Sequence, residues 1–218
     1  PEVSVINPSE GGTVTSDKKI ASMDETVTLT ANPAEGYYLS NISFKDVEGF
    51  PDQEVAFNDD VKISWVTGKA TFTMPSQNVY VYPSFASELS TTGGLFVKMP
   101  SFGKFLLDIP ASVKSFKVSG DAIKSGMTSN SDAYLVMTAP EGYQLQVTGS
   151  MNLGQKGSVE TLTIYDGEPT TGTGKLMDAQ TGKVDEFFLV SSGNVASIYF
   201  KSSHYWDPEN FNLTVSLV

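Results

Sequence analysis

Cysteine and arginine are absent from the chain, and histidine occurs once, at position 204. Without cysteine there are no disulfide staples of the kind that hold small animal secreted domains together. That absence fits a bacterial exported protein and a cytosolic one equally. A single histidine and no thiol exclude a zinc site, which needs several such ligands. Without arginine the chain has no bidentate guanidinium fork for phosphate. With a formal net charge of −11, it is therefore a poor partner for nucleic acid or for anionic membrane surfaces. No apolar run approaches the ~18 residues of a membrane span. No basic, then apolar, leader opens the sequence. Its first residue is proline, which suggests a mature or trimmed chain, and the strand-like ending at Val218 suggests that little follows.

What is present is a strand vocabulary. Period-2 alternation runs through Val27-Thr28-Leu29-Thr30, Ala70-Thr71-Phe72-Thr73-Met74 and Val79-Tyr80-Val81-Tyr82. It resumes in Gln144-Leu145-Gln146-Val147, Leu162-Thr163-Ile164-Tyr165, Ile198-Tyr199-Phe200 and Leu213-Thr214-Val215. Such runs, bounded by Gly, Pro, Asn and Ser, predict half-buried strands of antiparallel sheets. Turn chemistry recurs at Asn32-Pro33-Ala34-Glu35-Gly36, Asp166-Gly167-Glu168-Pro169 and Ser192-Gly193-Asn194. Helical turns are expected at most at residues 121–127 and 178–184, and residues 115–118 look like a lysine-protected edge strand. The small, polar residues 86–94 mark a boundary, which divides the chain into domains at 1–87 and 94–218 lying close together.

Within the first domain stand Val27-Thr28-Leu29-Thr30-Ala31-Asn32-Pro33-Ala34-Glu35-Gly36-Tyr37 and, later, Phe72-Thr73-Met74-Pro75-Ser76-Gln77-Asn78-Val79. This pair of blocks resembles one unit of the divergent internalin B-repeat group. The resemblance implies a small β-rich spacer of a bacterial surface protein, not an enzyme. The tryptophan usual after the Gly-Tyr block is missing, and Phe44 of Ile42-Ser43-Phe44 is expected to fill its place in the core. Asn58-Asp59-Asp60 reads either as plain turn formers or as the seed of a cation site.

The second domain carries Ala139-Pro140-Glu141-Gly142-Tyr143, Leu162-Thr163-Ile164-Tyr165-Asp166-Gly167, Ser191-Ser192-Gly193-Asn194, Ile198-Tyr199-Phe200-Lys201-Ser202-Ser203 and Phe211-Asn212-Leu213-Thr214-Val215, in that order. The series is similar to CUB domains, and it implies an extracellular antiparallel β-sandwich used for protein or glycan contacts. Calcium-binding members use three acidic positions. Here these fall on Glu160, on Ser203 and near Asn152, so one carboxylate remains of three. Asp132 or Asp207 would have to make up the six to eight oxygens calcium takes. Otherwise Glu160 is a solvated strand-edge residue.

No catalytic constellation emerges. His204 sits in Ser202-Ser203-His204-Tyr205-Trp206-Asp207-Pro208 without a nucleophile elbow elsewhere. Asp185 and Glu186 are neighbours on a strand and should point to opposite faces, as should Asp59 and Asp60. Gly172-Thr173-Gly174-Lys175 lacks the spacing of a phosphate loop and reads as a hairpin loop. The stronger handles are Tyr205 and Trp206, with His204 beside them, since aromatic faces stack on sugars and anchor interfaces. Trp206 alternatively folds back over the core edge, whereas Trp65 alternates with apolar neighbours and is expected in the core.

The sequence thus predicts an all-β chain, a small repeat-like domain followed by a CUB-like sandwich. The expected function is a non-catalytic, secreted or cell-surface bacterial module for adhesion, binding an extracellular protein or glycan. It is expected to be monomeric and to need no cofactor other than possible calcium. The alternative is an accessory domain pair of a larger secreted peptidase or glycoside hydrolase.

Overall fold

The computed structural model describes residues 1–48, 55–87, 95–100, 102–119, 131–153, 160–169, 174–202 and 210–218. Among these the chain is all-β. The first half contributes β1 (Val3–Val5), β2 (Gly12–Ser16), β3 (Thr26–Pro33), β4 (Tyr37–Lys45), β5 (Val61–Ser64), β6 (Lys69–Thr73) and β7 (Val79–Ser87). The second half contributes β8 (Phe96–Lys98), β9 (Phe102–Asp108), β10 (Ser115–Ser119), β11 (Ser131–Thr138) and β12 (Leu145–Leu153). It continues with β13 (Thr161–Asp166), β14 (Lys175–Gln180), β15 (Gly182–Val190), β16 (Val195–Ser202) and β17 (Asn210–Leu217).

The repeat-like blocks behave as their residues dictate. Gly36 takes φ 77°, a left-handed conformation that glycine adopts without steric cost, and Tyr37 N–H donates to Ala34 C=O to close the turn into β4. Pro75 lies just past the end of β6, where no ladder amide is needed. Asn78 accepts a hydrogen bond from Glu2 N–H at 2.8 Å and so ties the chain start to β7, which β1 joins in parallel. Phe44 is buried and meets Phe57 and Phe72 edge-on, with ring centroids 5.1 and 5.2 Å away. It belongs to the buried core of the first half, as expected.

The sheets are mixed, not purely antiparallel. β1–β7, β8–β10, β9–β11 and β5–β9 all run parallel. The β5–β9 pair matters most, because it sets Val61 opposite Phe105 and Ser64 opposite Asp108, joining the two halves. The result is one nine-stranded sheet, ordered β14-β13-β16-β11-β9-β5-β6-β3-β2. The three-stranded sheet β1-β7-β4 accompanies its first-half strands, and the five-stranded sheet β15-β12-β17-β10-β8 its second-half strands. The buried hydrophobic side chains of both halves form one continuous cluster.

Three further expectations change. Residues 115–118 are not at an edge: β10 lies between β17 and β8, and Lys117 simply occupies its outward face. Residues 178–184 make no helical turn but run from β14 into β15, with Gly182 turning the chain at φ 73°. Trp65 is half-buried against the core and meets Phe116 of β10 edge-on at 5.2 Å, while its Nε1–H finds no acceptor among the described residues.

Candidate functional site

The polar residues that make the second half distinctive in sequence close the end of its sandwich. Asn194 donates through Nδ2 to Ala139 C=O at 2.8 Å, and Ala139 N–H donates to Asn194 C=O at 2.8 Å. Ser191 Oγ accepts from Leu145 N–H and donates to Gly193 C=O. Asp166 accepts from Ser192 N–H at 2.8 Å. The Ala-Pro-Glu-Gly-Tyr, Asp-Gly and Ser-Ser-Gly-Asn blocks thus satisfy one another's turn groups, a structural duty that leaves them little free hydrogen-bonding capacity.

Of the residues singled out from sequence, His204, Tyr205, Trp206 and Asp207 lie outside the described residues, as does Ser203. Glu160 is buried, which corrects its reading as a solvated edge residue. Asp132 stands exposed on the outward face of β11, 4.0 Å from Lys201 Nζ. Among the described residues no three His, Cys, Asp or Glu side chains gather. Asp60 forms an ion pair with Lys104 at 3.1 Å, and Lys104 also reaches Glu168 at 2.6 Å. The Asn-Asp-Asp turn thus helps to tie the halves together.

Two outward sheet faces carry aromatic rings. On the nine-stranded sheet, register sets Lys104, Tyr134, Tyr199 and Thr163 in one row across β9, β11, β16 and β13. Tyr134 and Tyr199 stack with centroids 4.2 Å apart and an interplanar angle of 15°, and Tyr165 lies 6.4 Å from Tyr134. Partial burial, reinforced by the neighbouring Asp132 carboxylate, pushes the Tyr199 hydroxyl well above the usual phenol range. Tyr134 moves the same way, chiefly through burial. These rings cover each other's faces and engage one another's hydroxyls, so the cluster is largely self-satisfied.

The five-stranded sheet is different. Its outward face carries Thr148 and Ser150 from β12, Asn212 and Thr214 from β17, and Lys117 from β10, while Val147, Met151, Leu213, Val215, Phe116 and Val118 point into the core. Over this face stands Phe188, 66% exposed. An open groove of about 500 Å³ runs beside it, bounded by Thr148, Ser150, Asn212, Glu186 and Phe188. A bulge shapes it. Gly149 pairs with Phe187 but Met151 pairs with Val184, so Asp185 and Glu186 together face Ser150. Both carboxylates consequently reach solvent, contrary to simple alternation, and Asp185 is taken by Lys183 at 2.5 Å. Gly149 has no alternative here, since a Cβ would lie 2.3 Å from the Asn212 carbonyl oxygen.

Phe188 escapes a motif search, but a local signal exists. Phe187 and Phe188 are adjacent on a strand, and a period of two cannot bury both. Which of them faces outward depends on the bulge, which the sequence does not announce.

Comparison with known proteins identifies residues 3–88 by a family model described as the divergent InlB B-repeat domain. No curated protein matches the chain. Among solved structures, one similar chain comes from work titled "Structural basis for the promiscuous specificity of the carbohydrate-binding modules from the beta-sandwich super family". It is 11% identical, with 95% of this chain and 97% of that one covered, at a TM-score of 0.25. A superposition that loose carries no argument about function.

Proposed function

We propose that this chain, which opens with a divergent InlB B-repeat unit, is a non-catalytic binding module of a secreted or cell-surface bacterial protein. Its CUB-like second half presents the ligand face. The ligand is a neutral glycan, held on the outward side of the five-stranded sheet. The observation that carries this reading is Phe188, a large ring left 66% exposed above a field of hydroxyls and amides. Burying a phenylalanine side chain is worth roughly 1.5–3 kcal/mol, so the fold gains little from it at this position. A pyranose has an apolar face of C–H groups and a rim of hydroxyls. The ring suits the former, and Thr148, Ser150 and Asn212 suit the latter. Glu186 adds a charged acceptor at the same place, and hydrogen bonds to charged groups are the stronger kind. A protein ligand would be expected to find a broader apolar centre. The net charge of −11 works against polyanionic chains.

The test is calorimetric titration of the purified chain against a panel of neutral oligosaccharides, with and without calcium. The Phe188→Ala variant should lose binding tenfold or more, about 1.4 kcal/mol, while melting at the same temperature as the parent. Binding that survives this substitution, or silence across the whole panel, would overturn the proposal.

A further inference from the structure

The register of the five-stranded sheet places a second exposed ring in line with Phe188. Phe188 pairs with Thr148, Thr148 with Thr214, Thr214 with Lys117, and Lys117 with Phe96. Directly opposed residues share a face, so these five side chains form one row across β15, β12, β17, β10 and β8. Phe96, at the far end, is also exposed, at 39%. Four steps between strands span about 19 Å. The row is thus aromatic at both ends, with two threonines and one lysine between. Lys117 has no ion-pair partner among the described residues, so its ammonium is free to donate to an oxygen lying above it. The other exposed large hydrophobic side chains among the described residues, Ile20, Met23, Val47, Val66 and Val218, lie outside the strands.

We infer that the ligand is a single soluble glycan chain of several sugar units, lying across the strands with one sugar stacked on Phe188 and another on Phe96. This rests on the reading of the face as a glycan site and adds the ligand's length, direction and physical form. Sheet twist makes the form specific. Adjacent strands rotate by about 20–25° on average, so β15 and β8, four steps apart, are expected to differ in direction by roughly 80–100°. A flat crystalline polysaccharide surface cannot meet both rings. A free chain, able to turn along its own axis, can. The groove with Glu186, Ser150 and Asn212 lies at the Phe188 end, so short ligands should dock there and only longer ones should reach Phe96.

The experiment is titration of the whole chain with a length series of one neutral oligosaccharide that binds it, using the parent, Phe96→Ala and Phe188→Ala. Binding to the insoluble crystalline form of the same polymer is measured alongside. The parent should tighten about tenfold or more once the oligosaccharide spans both rings. Phe96→Ala should remove that gain and leave the shortest ligands unchanged, whereas Phe188→Ala should weaken all lengths. Phe188→Ala should melt like the parent, whereas Phe96→Ala, which truncates a ring more than half covered, should lose some melting temperature while staying folded at the titration temperature. Affinity independent of length, or unchanged in Phe96→Ala, would overturn the two-ring chain while leaving the Phe188 site standing. Preference for the crystalline polymer would overturn it as well. Failure of Phe188→Ala to weaken any ligand would instead remove the underlying site.

Discussion

Single side chains decide where the titratable chemistry of this molecule lies. Tyr199 holds its proton unusually firmly because burial and the Asp132 carboxylate both oppose a phenolate. Lys104 is shifted in the same sense, first by its bond to Glu168 and then by Asp60, although burial works against it. In both groups the folded-state affinity for the proton exceeds that of the unfolded chain. Their stabilisation is therefore complete below about pH 10, the unfolded tyrosine and lysine range, and is lost as pH rises beyond it. Urea midpoints should stay level up to about pH 9 and fall by about pH 11. Tyr199→Phe should flatten part of that fall, because the ring stays and the ionisable hydroxyl goes. Identical alkaline profiles for parent and variant would show that the Tyr199–Asp132 pair has no such role. Neighbours set these properties, and sequence does not list neighbours: Asp132 and Tyr199 are 67 positions apart in the chain and meet only because β11 pairs with β16.

At the scale of strands and turns, local chemistry and long-range pairing had unequal visibility. Alternation located most strands, and the Pro-Ala-Glu-Gly and Ala-Pro-Glu-Gly turns formed where proline and glycine require them. Partner choice was not readable. A strand such as Ser115-Phe116-Lys117-Val118 looks the same at an edge and in the middle of a sheet, because a lysine on a solvated outward face blocks nothing. The joint between the halves was hidden for the same reason, since β5 and β9 have no sequence feature that names the other. Trp65, just past β5, strengthens this joint by packing edge-on against Phe116, but its buried indole N–H has no acceptor among the described residues. Trp65→Phe should therefore cost little, since it keeps a ring at the contact and removes an unsatisfied donor. Trp65→Ala should cost about 3 kcal/mol through the cavity it opens. Chemical denaturation of the two variants separates these outcomes, and equal losses would mean that the N–H is satisfied.

For the whole molecule, a boundary in composition need not be a boundary in cooperativity. The repeat-like blocks end near the small, polar stretch around residue 90, yet the first half does not close on itself. Its strand β5 takes β9 as a parallel neighbour through four register pairs, and Phe105 of β9 comes within 6.1 Å of Phe44 in the first-half aromatic cluster. Lys104 answers Asp60 on one side of the joint and Glu168 on the other, and Trp65 meets Phe116 across it. Unfolding either half alone would expose an unpaired sheet edge and strip apolar contacts from the other, so the partly unfolded states are penalised twice. Scanning calorimetry of the intact chain should show one heat-absorption peak, with calorimetric and van't Hoff enthalpies in agreement. Two resolved peaks, or a calorimetric enthalpy well above the van't Hoff value, would show instead that the halves melt independently. For the proposed binding face the distinction has a consequence. A repeat unit welded to its neighbour by backbone hydrogen bonds holds the five-stranded face at a fixed angle to the rest of the chain, whereas a tethered one would let it swing.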